Sequence, residues 1–98
     1  MTDFPKIESV YALPNHHLLV LFKNGRLKTY DCAPLLREAV FKPLESEALF
    51  SQVQVGPGGY GIVWNEEIDL SESELWLNGV EAENILLKDL LLKQDATR

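Results

Sequence analysis

The feature that most constrains this chain is an Asn-Gly pair, Asn24-Gly25, between two apolar runs. Asn-Gly favours a two-residue type I′ turn, because both positions of that turn need a positive φ. It therefore predicts an antiparallel hairpin of His17–Phe22 and Arg26–Tyr30. In that register Phe22 lies opposite Leu27.

A further strand is predicted ahead of the hairpin. Ile7–Ala12 carries β-branched and aromatic residues, and Pro14-Asn15 behind it is a turn signal. His17–Phe22 is apolar on both faces, which predicts a central strand. The first 30 residues therefore predict an N-terminal β-meander.

The stretch GPGGYGIV, residues 56–63, has the G-x-G-x-x-G spacing of phosphate-binding loops. A dinucleotide site needs a helix after the glycines, because the helix N-terminus holds the phosphate, whereas β-branched and aromatic residues follow here. A kinase glycine loop needs a lysine on the next strand, but the next lysine is Lys88 and the kinase motifs are absent. We predict a turn that joins strands Val53–Val55 and Ile62–Trp64, with glycines at positive φ, and no nucleotide binding.

Short helices are predicted between and after the hairpins. Pro34 suits the first position of a helix, and Pro43 prevents its continuation. Ser71 and Glu74 form an S-x-x-E capping box, and Gly79 stands where a left-handed glycine would close that helix. The acidic residues near Ser71 are therefore interpreted as residues of a helix start rather than as a metal-binding or catalytic cluster.

Together these patterns predict an α+β fold in a single domain, residues 1–79. A small antiparallel sheet, made of the N-terminal β-meander plus a second hairpin, carries short helices packed on it, and a C-terminal helix follows. Trp64 is expected in the core or at its edge. The predicted core comprises Val10, Leu18, Val20, Phe22, Leu27, Leu36, Phe50, Val63, Leu70 and Leu75.

Residues 80–98 are predicted to form a C-terminal helical extension. Residues 83–94 place one broad apolar face at Leu86, Leu87, Leu90 and Leu91. Ile85 and Leu92 form a second, narrow stripe. One face can pack on the domain and the stripe needs a partner, so Ile85 and Leu92 are the candidate interface of a homodimer.

The charge of the chain is uneven. Its net charge is −6, yet residues 1–44 carry +2 and residues 45–98 carry −8. Nine acids and no Lys or Arg lie between Lys42 and Lys88. Such a surface repels phosphate and attracts cationic protein surfaces, which argues against nucleic-acid binding. The candidate residues for binding a basic protein lie on or beside the loop after Trp64: Glu66, Glu67, Asp69 and Glu72.

The cysteine content and the hydropathy of the chain predict its cellular compartment. One cysteine, Cys32, allows no internal disulfide, and with the adjacent pair His16-His17 it gives no recognised zinc spacing. We find no signal-peptide pattern and no apolar run near the roughly 20 residues that span a bilayer. We expect a cytoplasmic protein that needs no metal or cofactor and contacts no membrane.

An alternative reading is a small enzyme or ligand-binding domain. In the predicted hairpin His17, Asp31 and Cys32 come close together, and a Cys–His pair can act as a nucleophile and its base. No third orienting group is evident, and a small buried thiol is far more common. His16 and His17, as strand neighbours, would point to opposite faces.

The chain resembles a bacterial family catalogued as domain of unknown function 2442 (DUF2442). The resemblance covers about residues 5–79 and rests on three patterns: LLVLFKNGRLKTYD, the PLL…F…L…LF spacing, and GIVWNEEIDLSESELWLNG. In the last, Trp64, Asp69, Leu70 and Leu75 resemble the family's signature. The resemblance implies an α+β fold and no established activity.

Two further properties follow from the resemblance alone. Members are often encoded beside small toxin-like proteins, which implies an antitoxin-like or accessory role. Some relatives carry a C-terminal helix-turn-helix domain, but residues 80–98 are too short for one. We therefore expect a non-enzymatic protein-interaction module that pairs with a small basic protein.

Overall fold

The computed structural model describes residues 3–82, in which two antiparallel sheets pack together with short helices. Sheet A has the strand order β1-β2-β3-β7 and sheet B the order β4-β5-β6. The strands are β1 (Ile7–Leu13), β2 (His17–Phe22), β3 (Leu27–Asp31), β4 (Gln54–Val55), β5 (Gly61–Asn65), β6 (Ile68–Ser71) and β7 (Val80–Glu81). The predicted α+β class is confirmed.

The helices are short. Residues 3–82 contain two α-helices, α1 (Glu47–Phe50) and α2 (Glu72–Asn78), and 3-10 turns at Pro14–His16, Ala33–Arg37, Ala39–Glu45 and Pro57–Gly59. The segment from Pro34 onward is thus 3-10 rather than α-helical. Pro43 lies inside the Ala39–Glu45 turn instead of ending it.

The hairpin at Asn24-Gly25 is confirmed, but its predicted register is wrong by one residue. Of the two residues only Gly25 has a positive φ, so the loop has three residues rather than two. Phe22 accepts from the Gly25 amide at 2.9 Å and donates to the Arg26 carbonyl at 2.9 Å. Leu27 consequently lies opposite Leu21 instead of Phe22.

The corrected register places a lysine on the core face of sheet A. Lys28 pairs with Val20 and is only 8% exposed. Its ammonium donates to the Trp76 carbonyl, lies 4.1 Å from the Trp76 ring centre and 3.8 Å from a Glu81 carboxylate oxygen. A buried cation is tolerated here because it is both hydrogen-bonded and paired.

The core lies between the sheets and the helices. Six predicted members are buried, and four are only partly buried: Val10, Leu27, Leu36 and Val63. Trp64 is 6% exposed, as predicted. The core residues absent from the predicted list are Ile7, Tyr30, Cys32, Leu44, Ile62 and Ile68.

The domain continues beyond residue 79, because β7 adds to the edge of β3. Thr29 pairs with Val80 and Lys28 with Glu81. Residues 80–81 were assigned to the helical extension and instead form a strand of sheet A. The remainder of that extension, including Ile85 and Leu92, lies outside the described residues.

Gly79 is needed for a reason other than the predicted one. The Ser71 cap is confirmed, since its hydroxyl accepts from the Glu74 amide at 3.1 Å. Gly79, however, has φ −77, which any residue adopts. A β-carbon there would overlap the Leu75 carbonyl oxygen and lie 3.2 Å from the Lys28 Cβ. The position therefore excludes a side chain through close packing rather than through handedness.

Candidate interaction surface

Three of the four predicted acidic residues lie on the hairpin between β5 and β6. Glu66 and Glu67 occupy the turn, and both are exposed. The Asn65 side-chain oxygen accepts from the amides of Glu67 at 2.8 Å and Ile68 at 3.0 Å, which fixes the turn. Glu66, Glu67 and Asp69 form what we call the acidic hairpin.

Asp69 points away from the core. It pairs with Val63, whereas the neighbouring pair, Ile62 and Leu70, faces inward. Cross-strand partners share one face of a sheet, so Asp69 lies on the outer face of sheet B. None of the ion pairs found among residues 3–82 involves a member of the acidic hairpin. These carboxylates are not neutralised by the domain's own cations.

Glu72 is separated from the other three. It begins α2, its side chain is only 15% exposed, and its carboxylate lies 3.6 Å from the Lys6 ammonium. Lys6 also lies 4.4 Å from the Tyr60 ring centre. Glu72 thus joins α2 to the chain before β1, which sequence could not show because its partner is 66 positions away in the chain.

Two clefts flank Val63 on the outer face of sheet B. The smaller, about 270 Å³, is lined by the glycine stretch together with Asp69, Leu70 and Ser71. The larger, about 670 Å³, is lined by Gln52, Gln54, Val63, Trp64, Asn65 and Glu66. Each lining holds one carboxylate and no Lys or Arg. A phosphate would meet repulsion there, since phosphate sites need donors or cations.

The glycine stretch itself is a turn between strands, as predicted. β4 pairs antiparallel with β5, and Gly58 and Gly59 have φ of 70 and 77. A strand, not a helix, follows Gly61. The stretch therefore presents no helix N-terminus to a phosphate, which is the feature that a dinucleotide site uses.

The alternative site is only partly assembled. His17 pairs with Asp31 across β2 and β3, with 3.9 Å between Nε2 and a carboxylate oxygen. Both line a cleft of about 420 Å³ with Thr29, Tyr30, Pro34, Leu35, Glu74, Asn78 and Val80. Tyr30 donates to the Glu74 carboxylate at 2.7 Å. Burial, and then this acceptor, raises the pKa of Tyr30 well above its usual range.

Cys32 does not join that cleft. It is fully buried, and burial, followed by the charge of Asp31, raises the pKa of its thiol to about 12. A thiolate is the reactive form of cysteine, so a thiol with so high a pKa is a poor nucleophile at neutral pH. Within the described residues, no group of three or more His, Cys, Asp or Glu side chains could hold a metal ion.

His16 has a structural role that sequence missed. It was predicted as an exposed residue at the start of a strand, but it lies in the turn before β2 with φ 60. Its ring donates from Nε2 to the Leu44 carbonyl at 2.9 Å and meets Phe50 edge-on at 5.0 Å. Asn15 and His16 both have a positive φ, and this turn directs the His16 ring toward Leu44 and Phe50.

The residues behind the family resemblance divide into two groups. Trp64, Leu70 and Leu75 are buried, and the Trp64 indole donates to the Phe50 carbonyl at 3.0 Å. Asp69 alone is exposed. Burial accounts for the first three, whereas Asp69 makes no ion pair in the part of the chain that the structure describes.

Fold and surface together define a small α+β domain of two antiparallel sheets with an acidic hairpin. Residues 7–81 match the model of the family described as protein of unknown function DUF2442, and the chain belongs to that family. Comparison with curated proteins and with solved structures gave no match. Within the described residues, no helix is long and apolar enough to cross a membrane.

Proposed function

We propose that this chain is a non-enzymatic protein-interaction module that binds a small basic protein through its acidic hairpin. The observation that carries the proposal is the set of exposed carboxylates on Glu66, Glu67 and Asp69. The Asn65 side chain holds their turn by two hydrogen bonds, and none of the three forms an ion pair among residues 3–82. A preorganised acidic surface favours cationic partners at little conformational cost.

The charge around the hairpin supports the same partner. The chain has no Lys or Arg between Lys42 and Lys88, so sequence neighbours do not screen the hairpin. Lys6, which reaches the Glu72 end of β6, is paired with that residue. An antitoxin-like or accessory partner of a small basic protein, acting in the cytoplasm, is the role that this surface fits best.

The test begins with affinity capture from the native host, with the product of the neighbouring gene as the first candidate. The double variant Glu66→Gln with Glu67→Gln should then slow association roughly 2- to 30-fold at low salt. Each of the two exposed charge pairs that it removes contributes about 0.2–1 kcal/mol. Stopped-flow mixing at several salt concentrations measures this. The wild-type rate should fall as salt rises, and the variant's rate should fall less.

A matched control removes the same charge elsewhere. Glu8 and Glu47 are exposed and lie outside the acidic hairpin, so Glu8→Gln with Glu47→Gln should leave most of the association rate intact. A captured partner whose binding does not depend on salt, or that responds equally to both double variants, would remove the acidic hairpin from the interface.

The second candidate function is ligand binding at the cleft of His17 and Asp31, which the 420 Å³ volume favours. The two candidate functions differ in which substitution weakens binding. Asp31→Asn would then reduce binding while the Glu66 and Glu67 substitutions would not.

We also propose that the chain forms a homodimer through Ile85 and Leu92. Light scattering on the full chain should give twice the monomer mass, and a chain that ends at Ala82, which keeps β7, should give the monomer mass. Full-length protein that scatters as a monomer would contradict the proposal.

A further inference from the structure

Sheet A has a second apolar face, on the side away from the core. Side chains alternate along a strand, and cross-strand partners share a face. The core cluster draws its sheet A members from one side: Ile7, Leu18, Val20, Phe22 and Tyr30. The other side, which we call the outer face of sheet A, carries the apolar residues Tyr11, Leu13, Leu19, Leu21, Leu27 and Val80 together with the polar residues Ser9, His17, Thr29 and Asp31.

The centre of this outer face is covered. Leu19 is 0% exposed and Leu13 is 7% exposed, although neither belongs to the core cluster. Leu21 and Leu27 beside them are half-buried. At the rim Tyr11 and Val80 are 43% and 67% exposed. A sheet face with buried leucines at its centre needs an apolar layer against it, because sheets are stable when each apolar face is packed.

The described chain ends beside this face. The Ala82 amide donates to the Leu27 carbonyl at 2.9 Å, so β7 delivers the following residues to the edge of the outer face. Those residues include ENILLKDLLLKQ, residues 83–94. As the helix that their leucine spacing predicts, they would be about 18 Å long. That length exceeds the roughly 14 Å across four strands.

We propose that residues 83–94 cover the outer face of sheet A of their own chain, with Leu86, Leu87, Leu90 and Leu91 directed at it. A segment joined directly to the edge of the face has a high effective concentration there, which favours it over a second copy. This arrangement leaves Ile85 and Leu92 turned away from the sheet. It does not depend on the acidic hairpin or on its basic partner.

The test places a nitroxide label on the full-length chain through Lys88→Cys, a polar position next to the leucine face. Cys32 can stay, because a buried thiol with a raised pKa reacts slowly with thiol reagents. In ¹⁵N-labelled protein, the amide signals of Leu19, Leu21 and Leu27 should broaden. A label at Glu67→Cys, on the acidic hairpin, should leave the same signals sharp.

A mixed sample separates the two possible sources of the segment. A ¹⁵N-labelled chain without nitroxide is mixed with a ¹⁴N chain that carries the nitroxide, so that only contacts between copies cause broadening. Broadening that is much stronger in the first sample than in the mixture supports the proposal, because in a dimer through Ile85 and Leu92 the partner's label lies farther from the sheet than the chain's own label. Broadening as strong in the mixture as in the first sample would assign the face to a second copy, and no broadening in either sample would remove the segment from the face.

A pair of substitutions checks that the leucine face makes the contact. In the labelled full-length chain, Leu90→Glu should abolish the broadening at Leu19, because a carboxylate would have to be buried against the sheet. Leu92→Glu, on the opposite stripe, should preserve it. Equal behaviour of the two variants would contradict the predicted orientation.

Discussion

Replacing Trp64 with alanine is expected to lower the free energy of unfolding by about 3–5 kcal/mol, the range for large aromatic truncations in cores. Trp64 is 6% exposed and stacks on Phe50 with 5.9 Å between ring centres. Its indole nitrogen also donates to the Phe50 carbonyl at 3.0 Å. One side chain thus joins sheet B to α1 by packing and by a buried hydrogen bond. Urea unfolding followed by circular dichroism measures the loss.

Trp64→Phe separates the two contributions. A phenyl ring keeps much of the packing but leaves the Phe50 carbonyl without its donor, which costs about 1–3 kcal/mol when the group stays buried. The phenylalanine variant should therefore fall between wild type and alanine. Leu77→Ala serves as a control, because Leu77 is 66% exposed and its loss should change stability by only about 0.5 kcal/mol. A Trp64→Ala loss as small as the control would show that the indole is dispensable.

Replacing Gly59 with alanine is expected to destabilise the domain by roughly 2–5 kcal/mol, from two sources. Gly59 has φ +77, a left-handed conformation that costs other residues about 1–2 kcal/mol. A β-carbon there would also lie 2.7 Å from the Ile7 carbonyl oxygen and 3.0 Å from the Ile7 nitrogen, both backbone atoms. Overpacking of this kind costs about 1–3 kcal/mol more.

Gly25→Ala is the matched control. Gly25 has φ +90, but its β-carbon would meet nothing within 4 Å, so only the conformational cost of about 1–2 kcal/mol applies. The difference between the two variants, measured by thermal or urea unfolding, isolates the contact between the glycine stretch and β1. Equal losses would show that the turn moves away from Ile7 without cost.

This contact explains the glycine stretch in structural terms. Gly59 brings the turn of sheet B against β1 of sheet A, and Gly61 has no room for a side chain because the Leu70 carbonyl oxygen lies against it. Of these two places where backbone packs on backbone, Gly61 belongs to the spacing that resembles a phosphate-binding loop, and Gly59 lies between its glycines. Glycine is required at such approaches whatever the function of the protein.

The local elements could be predicted from short stretches of sequence. Asn24-Gly25 specified a hairpin, Ser71 specified the start of α2, and the glycine stretch specified a turn between two strands. Each of these depends on the φ preferences or side-chain bonds of residues close in the chain, so local reading is sufficient. The α+β class followed, because the kinds and order of elements restrict how apolar faces can be buried.

The candidate site was only partly accessible to that reading. Glu66, Glu67 and Asp69 were predictable because charge and exposure along a turn follow from composition. Glu72 looked equivalent, yet Lys6 neutralises it across the fold. A partner so distant in sequence has no local signal, so only the tertiary structure separates a free carboxylate from a paired one.

Register and burial were likewise decided by tertiary structure. A one-residue change in the loop after Phe22 moved Lys28 to the core face and Leu27 away from it, since side-chain direction alternates along a strand. Lys28 is tolerated there because the Trp76 carbonyl, on α2, accepts a hydrogen bond from its ammonium. Gly79 then has to be glycine because the Lys28 stem and the Leu75 carbonyl fill the space beside it. The contacts of Lys28 with Trp76 and with Gly79 join residues about 50 positions apart, so their free energies depend on how the chain packs and not on any local propensity.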